Sequence, residues 1–489
     1  MKNSIAFLKK IPFSPFLLVL FVFIHAYNYA DKWMLISDLI VPFIISSVCV
    51  LLVFLILARI FKSSIKAAVL SSFWGIIFFY FGFIKEYILK ISGAYFHLKY
   101  SLPIVLIIGI LVSLKIKKLD AVKSVKLNYF FNLLFIIYIL VDIGILTYKH
   151  FTNPQINLQL VEETSLPKTL TNDTKEAVKP DVYFLVFDEY SSSISLKENY
   201  GYDNSSLDSF LLEKGFYISR QSKSNYTYTV FSLASTLNLN YFKNAKDLSF
   251  PDGFGAVWNQ IYENKVFTAF KDEGYEIKNL SFFNINENPA PAESFSRVWT
   301  SKFLFDKSLF HLLNLGYLWF DKKYYTHKLE DKMSSIQTAL SNKSEKPKFY
   351  YIHFILPHHP YVFNSDGSER SSAEYTKVVA DKSKYYLQQL IFTNTVIKEV
   401  INKIMVLDKK KIILLEGDHG NRFYTSQNQS LKTKYFLGKN DFKNLNAYYF
   451  FDKNYSKLYD SISPVNSFRV VFSQYFNKPY PLLKDSTFF

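Results

Sequence analysis

The pair Asp418-His419 is the part of this 489-residue chain best suited to chemistry. The run 411–415, rich in isoleucine and leucine, predicts a buried strand, and the pair follows it between Gly417 and Gly420. Ligands of open α/β sheets gather at the carboxyl ends of strands. A carboxylate beside an imidazole suits a divalent ion such as Zn²⁺ or Mn²⁺. The pair predicts a metal site, although by itself it also fits a plain strand-to-turn junction.

A second carboxylate, Asp188, follows another predicted strand, 181–187. The carboxyl end of a first strand is a natural place for a metal ligand. The alternative is an aspartate that caps the following turn. Glu189 is a possible further ligand, but its side chain would point away from that of Asp188 if the strand continued. Asp188 is therefore preferred.

Hydroxyl groups are concentrated in the segment 224–238, which contains Thr227, Thr229 and Ser232. A hydroxyl at the start of a helix lies near free backbone N–H groups and the positive end of the helix dipole, which favours a bound anion. A metal ion on that oxygen would lower its pKa and make it a nucleophile. The alternative is a helix start rich in serine and threonine that has no chemical role.

Three of the nine histidines, His353, His358 and His359, lie within seven residues at the end of a predicted strand, 348–356. His353, in mid-strand, fits a hydrogen-bonded core histidine better than a ligand. His358 and His359 follow Pro357 into a loop, where an imidazole can reach a substrate phosphate or a leaving-group oxygen.

The elements that must position these groups alternate between strand and helix from residue 180 onward. Helical patterns cover 204–213, ending near Gly215, then 372–406, and a stretch that opens at Ser463-Pro464. Such alternation predicts a mostly parallel sheet covered by helices on both faces. We expect one α/β domain over 180–489. The polar segment 151–179 is predicted to be a linker.

The first 150 residues predict a transmembrane domain of five helices. Its five apolar stretches are 11–30, 37–60, 67–90, 101–116 and 128–147. All but the fourth have the roughly 20 residues needed to cross about 30 Å of hydrocarbon. A cleavable signal peptide would explain only the first stretch. Asp142, in the fifth stretch, has no role that the sequence explains.

Basic residues orient these helices. They are concentrated before the first stretch and in two of the loops, as Lys2, Lys9, Lys10, Arg59, Lys62, Lys66, Lys115, Lys117, Lys118, Lys123 and Lys126. Because basic loops stay inside, the N-terminus is expected in the cytoplasm, and five crossings place the α/β domain outside. The expected location is the bacterial cytoplasmic membrane, with that domain on its periplasmic or extracellular side.

Composition excludes some classes of partner. Part of the net charge of +16 comes from the basic loops, and the α/β part has no basic stripe, so no nucleic-acid partner is expected. No obligate protein partner is inferred either. The single cysteine, Cys49, lies in the second apolar stretch, so the exported domain has no disulfides.

In combination, these segments resemble the alkaline phosphatase superfamily: Asp188 after a first strand, a hydroxyl cluster, His-x-Pro at 358–360, and Asp-His-Gly at 418–420. A membrane anchor followed by an outward domain resembles the sulfatase-like lipid A phosphoethanolamine transferases and lipoteichoic acid synthases. The resemblance implies one or two divalent metal ions, Zn or Mn. It also implies that Asp188, Asp418, His419 and the nucleophile oxygen bind a metal.

The resemblance offers two nucleophiles. Thr229 with Ser232 three residues later matches the phosphodiesterases and sulfatases, whereas Thr227 followed by Thr229 matches the transferases. Thr229 is preferred, and Thr227 is the alternative. At the position of Asp188 the relatives often have glutamate, whose side chain is one methylene longer than that of aspartate.

The resemblance also implies a set of substrate-binding residues. His358 would hold the substrate phosphate beside His359, and His353 has a counterpart in the transferases. The further histidine that the transferases carry after Asp-His-Gly is missing, and Arg422 is available to grip phosphate in its place.

The function implied is phosphotransfer. Thr229 would attack a membrane phospholipid, release diacylglycerol, and pass phosphoethanolamine or phosphoglycerol to a glycan or lipid-linked glycan. A phosphodiesterase or phosphatase that gives the intermediate to water fits the same residues, because the acceptor is not part of the motif. A non-catalytic membrane scaffold is a further alternative, and the complete ligand set argues against it. Sulfate ester hydrolysis is disfavoured because Cys/Ser-x-Pro-x-Arg, the source of formylglycine, is missing.

Overall fold

The computed structural model describes residues 8–30, 34, 36–92, 98–152, 158, 179–242, 252–290, 304, 307–309, 322–371, 374, 382–422 and 439–488. The chain forms two compact units. The membrane unit comprises Met1–Gln155 and Phe295–Phe320, and the sheet unit comprises Ile156–Ser294 and Asp321–Phe489. The predicted linker 151–179 falls almost wholly outside the described residues. The division into transmembrane domain, linker and catalytic domain stays a prediction.

Among the described residues, the membrane unit contains five apolar helices, one in each predicted stretch. They are α1 Ser14–Ala30, α2 Ile36–Phe61, α3 Ser64–Ser92, α4 Leu98–Lys118 and α5 Ala121–Thr152. Among the described residues, α2, α3 and α5 are long and apolar enough to cross a membrane. Helix α1 is apolar but has only 17 residues, and α4 ends in three lysines. The structure therefore supports three of the five predicted crossings.

In the described part of the sheet unit, six strands form one sheet. They are β1 Asp181–Phe187, β2 Tyr217–Ile218, β3 Glu276–Leu280, β4 Lys348–Phe354, β5 Lys411–Gly417 and β6 Asn446–Phe450. Their order is β2-β6-β5-β1-β4-β3. The four strands β3, β4, β1 and β5 pair in parallel, whereas β6 is antiparallel to both of its neighbours. The sheet is therefore mixed, which corrects the expectation in part: its central strands are parallel and one edge is not.

Helices cover both faces of this sheet. They are α6 Ser193–Tyr200, α7 Ser205–Glu213, α8 Thr229–Asn238, α9 Asp252–Tyr262, α10 Lys265–Asp272, α11 Lys322–Ser341, α12 Lys382–Met405 and α13 Ser467–Tyr475. Alternate residues of β1 enter two separate apolar cores, Phe184 in one and Leu185 in the other. Because every residue of β1 is buried, the strand appears in the sequence as a continuous apolar run.

Helix boundaries follow the local sequence closely. Helix α7 ends near Gly215, which has a φ of +83° as expected of a helix stop. The helix expected at Ser463-Pro464 begins as a short 3₁₀ turn, Pro464–Asn466, before α13.

Candidate active site

Two parallel strands bring the predicted metal ligands together. Strands β1 and β5 pair in register, so that Phe187 lies opposite Gly417. The residues that follow, Asp188 on one strand and Asp418 and His419 on the other, therefore meet at the carboxyl edge of the sheet. Their ligand atoms all lie within 4.8 Å of one another, and all three residues are buried. The structure thus brings Asp188 next to the pair Asp418-His419, which lies far from it in sequence.

Hydrogen bonds orient two of these ligands. Asp418 Oδ1 accepts the backbone N–H groups of Glu189 (2.8 Å) and His419 (2.9 Å), whereas Asp418 Oδ2 is buried without a hydrogen-bond partner among the described residues. His419 Nδ1 lies 2.9 Å from the carbonyl oxygen of Gly420. A carbonyl only accepts, so Nδ1 carries the proton and the lone pair of Nε2 is directed into the cluster. Nε2 lies 3.5 Å from Asp418 Oδ2.

The electrostatics of this cluster favour a cation. Burial raises the pKa of Asp188 well above its ordinary value, and the negative charges of Asp418 and Glu189 raise it further. Burial also acts on Asp418, but the imidazoles of His419 and His353 keep its pKa below the ordinary value. The donor set fits Zn²⁺ or Mn²⁺. It consists of the unpartnered Oδ2 of Asp418, the carboxylate of Asp188 and the Nε2 lone pair of His419.

Thr229 is the hydroxyl that reaches this cluster. It is the first residue of α8, and its Oγ1 lies 3.4 Å from Asp188 Oδ1 and 3.5 Å from His419 Nε2. Ser232, one turn later, donates to the backbone carbonyl of Asp418 (2.5 Å) and so fixes the helix against β5. Thr227 is buried and precedes the helix. The first turn of α8 therefore supplies both a candidate nucleophile and the backbone N–H groups of a helix start.

A second group of ligand-type side chains lies beside the first. Carboxylate and imidazole atoms of Glu189, His358 and His359 lie within 4.8 Å of one another. Glu189 has a φ of +63°, so the strand does not continue through it as expected, and its side chain enters this second group. His358 Nδ1 lies 2.6 Å from the carbonyl oxygen of His359, and burial lowers the pKa of His358. The ring is therefore kept neutral with its proton on Nδ1.

Arg422 connects the second group to the start of α8. Its backbone N–H donates to Glu189 Oε1 (3.2 Å), and its Nε lies 3.6 Å from the same oxygen. The guanidinium lies over the ring of Tyr228, 4.9 Å from its centroid. Burial opposes the charge, but Glu189 and Asp188 outweigh it and raise the pKa of Arg422. A permanently charged guanidinium is therefore held next to Thr229.

His353 occupies a different environment. It is fully buried in β4, its ring centroid lies 4.9 Å from that of Phe282, and its Nδ1 lies 3.4 Å from the hydroxyl oxygen of Tyr351. Burial lowers its pKa to about 3. Its Nε2 has no hydrogen-bond partner among the described residues. These contacts are those of a core histidine.

Sequence reasoning missed the residues that hold the loops in place. Gln389, in α12, donates from Nε2 to the carbonyls of Pro357 (3.1 Å) and His358 (2.9 Å). Tyr386, one turn earlier, donates to the carbonyl of Glu189 (2.9 Å). Both residues lie on the apolar face of a long helix, and nothing in the local sequence distinguishes them from ordinary polar residues.

The Sulfatase family model matches residues 180–457. No curated protein matches the chain. Among solved structures, lipooligosaccharide phosphoethanolamine transferase A from Neisseria meningitidis is 15% identical, with a TM-score of 0.42, over 97% of this chain and 95% of that one.

Two further structures align with part of the chain. The C-terminal periplasmic domain of EcEptC from Escherichia coli is 11% identical, with a TM-score of 0.42, over 66% of this chain and 92% of that one. Phosphonate monoester hydrolase of Agrobacterium radiobacter is 11% identical, with a TM-score of 0.40, over 61% of this chain and 74% of that one.

Proposed function

The chain belongs to the sulfatase family, and is thus an enzyme of the alkaline phosphatase superfamily; on that premise we propose that it is a membrane-anchored, metal-dependent phosphotransferase. It would move the head group of a membrane phospholipid, phosphoethanolamine or phosphoglycerol, to a glycan or lipid-linked glycan of the cell envelope. The N-terminal helices would hold it in the cytoplasmic membrane with the sheet unit outside.

The observation that carries this proposal is the position of Thr229. Its hydroxyl lies at the start of α8, 3.4 Å from Asp188 and 3.5 Å from His419, where a nucleophile and its activating groups must lie together. Sulfatases that use formylglycine need a cysteine or serine followed by x-Pro-x-Arg, and Thr229 is followed by Val230-Phe231-Ser232 instead. Sulfate ester hydrolysis is therefore not the activity we propose.

Asp188, Asp418, His419 and Thr229 Oγ1 would hold a divalent cation. When bound, the ion lowers the pKa of the threonine hydroxyl and neutralises charge on the phosphoryl group. Zn²⁺ and Mn²⁺ match the mixture of carboxylate and imidazole.

The protein's own groups account for the remaining steps. As the Thr229 Oγ1–phosphorus bond forms, the hydroxyl loses its proton and the phosphorus–oxygen bond to glycerol breaks, and the diacylglycerol oxygen takes up a proton. An acceptor hydroxyl then loses its proton and displaces Thr229 from phosphorus, and Thr229 Oγ1 takes up a proton. The N–H groups at the start of α8 and the guanidinium of Arg422 bind the negatively charged phosphoryl oxygens. His358, neutral with Nε2 as its lone-pair nitrogen, would accept the proton of the acceptor hydroxyl.

The test is mass spectrometry of the tryptic peptide 224–243, from protein purified out of its native membrane. We expect a phosphoethanolamine or phosphoglycerol adduct on Thr229, absent from Thr229→Ala and present in Thr227→Ala. An adduct on Thr227 would keep the chemistry and move the nucleophile. An unmodified peptide, in metal-loaded protein that releases head groups into water, would replace the proposal with a hydrolase.

A further inference from the structure

The membrane unit contains a polar group that phosphotransfer does not explain. Asp142, in α5, is almost fully buried, although the helix turns on either side of it are apolar. Its carboxylate lies 3.0 Å from His25 Nδ1 and accepts a hydrogen bond from Asn28 Nδ2 (2.9 Å). Both partners belong to α1. A carboxylate in a membrane helix is costly and usually marks a function.

His25 lies at the wall of a cavity of about 220 Å³. Its Nδ1 carries the proton shared with Asp142, because a carboxylate only accepts. The opposite edge of the ring is left for the cavity, and about half of the side chain is exposed. A purely structural tie between α1 and α5 would need no exposed imidazole.

The remaining walls of the cavity combine aromatic rings with a second cation. They are formed by Val22, Ala26, Tyr29, Phe79, Tyr80, Phe83, Leu304 and Lys307. The ammonium of Lys307 lies over the ring of Phe83, 4.5 Å from its centroid. Lys307 belongs to the segment Phe295–Phe320, which lies within the same compact unit as the helices although it follows β3 in sequence. The cavity thus has apolar walls and a cationic end.

The charges near this end favour an anion. Lys149, at the end of α5, donates to the backbone carbonyl of Asn28 (2.7 Å). Among these described residues, Lys149 and Lys307 are two cations and Asp142 is one carboxylate. If the N-terminus is cytoplasmic, α1 and α5 both run outward, and His25 lies near the outer end of α1. This is the depth at which lipid phosphates are found.

We propose that this cavity binds a glycerophospholipid, with the glycerol and first acyl carbons against the aromatic walls and the phosphate held by Lys307 and by the imidazolium form of His25. In that form Nδ1–H donates to Asp142 and Nε2–H donates to the phosphate, because a phosphate oxygen only accepts. Asp142 is the positioning residue, because it fixes the imidazole so that the free edge faces the phosphate. The site lies in the membrane unit, whereas the candidate catalytic cluster lies in the sheet unit. The inference concerns lipid binding and does not depend on phosphotransfer.

The test is native mass spectrometry of the full chain, titrated in detergent with short-chain phosphatidylglycerol. We expect one lipid to be retained, and Lys307→Gln and His25→Gln each to weaken its binding about tenfold, the loss of one charge-assisted hydrogen bond. Lys126→Gln, an exposed lysine near the start of α5, removes the same charge and should leave binding unchanged. Unchanged binding in both cavity variants would overturn the proposal.

Three other probes identify what is recognised. Phosphatidylethanolamine should compete, since it carries the same phosphate. If diacylglycerol is retained as well as phosphatidylglycerol, the phosphate is not recognised. If inorganic phosphate binds and the lipids do not, the cavity is an anion site without lipid. Either result refutes a phospholipid site. Asp418→Asn should retain the lipid, which separates failure here from failure of the proposed catalysis.

The role of Asp142 is tested through His25. Asp142→Asn should weaken phosphatidylglycerol binding in the wild-type background and have no further effect in His25→Gln, as expected of two residues that act as a unit. A purely structural Asp142 would instead lower the unfolding temperature equally in both backgrounds and leave the affinity for lipid unchanged.

Discussion

Replacing Asp418 by asparagine should separate the metal-binding role of this residue from its structural role. Asparagine Oδ1 can still accept the N–H groups of Glu189 and His419 that Asp418 Oδ1 accepts. What changes is Oδ2, which is buried without a partner and becomes an NH₂ group that cannot bind a cation. The substitution therefore removes a ligand while keeping the local hydrogen bonds.

The metal-free variant should be at least as stable as the metal-free wild type. Asp188 and Asp418 present oxygens within 4.8 Å of each other, a separation at which two unit charges repel by about 3.5 kcal/mol at an effective dielectric constant of about 20. Because Asp188 relieves part of this by binding a proton, the gain in the free energy of unfolding lies below that figure. We expect an unfolding temperature several degrees higher in chelator.

Metal should stabilise the variant much less than the wild type. At a metal concentration about 100 times the dissociation constant, binding stabilises the fold by about 2.7 kcal/mol. A 100-fold loss of affinity would reduce this to about 0.4 kcal/mol. Thermal unfolding with and without Zn²⁺ or Mn²⁺ measures both effects.

The control is Glu416→Gln. Burial raises the pKa of this β5 carboxyl well above its ordinary value, and Glu416 lies outside the ligand cluster, so the variant should keep the full stabilisation by metal. The assignment of Asp418 as a metal ligand would be refuted if metal-free Asp418→Asn were less stable than the metal-free wild type and metal stabilised both proteins equally. In that case Asp418 would be a cap for two backbone N–H groups and not a ligand.

Three further predictions concern neighbouring residues. His353 has a pKa of about 3 in the folded chain and 6.5 when unfolded, so its contribution to stability is present above pH 6.5 and is lost as the pH falls. By pH 5 the loss is about 2 kcal/mol, and denaturant unfolding should show it in the wild type but not in His353→Phe. Gln389→Leu leaves the carbonyls of Pro357 and His358 unsatisfied and should cost about 2–4 kcal/mol, with unchanged metal affinity by calorimetry; no destabilisation would mean that α12 does not hold this loop. Ser232→Ala removes the bond that fixes α8 against Asp418 and should destabilise by about 1 kcal/mol while lowering kcat more than KM rises; an effect on KM alone would contradict this.

The parallel centre of the sheet could be predicted because its strands are buried on both faces. Strands β1 and β5 therefore appear as continuous apolar runs, and the chemical residues follow them directly. The antiparallel edge could not be predicted in this way. Strand β2 has only two residues, and the aromatic run of β6 fits either direction equally well, because strand direction is set by the path of the chain and not by side-chain pattern.

The membrane helices show a similar division. All five apolar stretches form helices, as their length and apolar composition predict. The partners of Asp142, however, lie 117 and 114 residues away in sequence. Gln389 likewise acts on a loop about 30 residues earlier. Such contacts depend on the packing of whole elements, and no local pattern encodes them.

The turn at Glu189 explains how two adjacent carboxylates serve two different clusters. If β1 continued, Asp188 and Glu189 would lie on opposite faces of the sheet. Instead Glu189 adopts a left-handed conformation, with φ +63°, which costs a non-glycine residue about 1–2 kcal/mol. Contacts on every side hold it there: its N–H donates to Asp418, its carbonyl accepts from Tyr386, and its carboxylate accepts from Arg422. Several contacts together hold this strained conformation, as is common at functional sites. Glycine would adopt it without strain, but it would also remove the carboxylate that binds Arg422. The strained turn thus lets Asp188 face Thr229 while Glu189 fixes the guanidinium of Arg422 beside it.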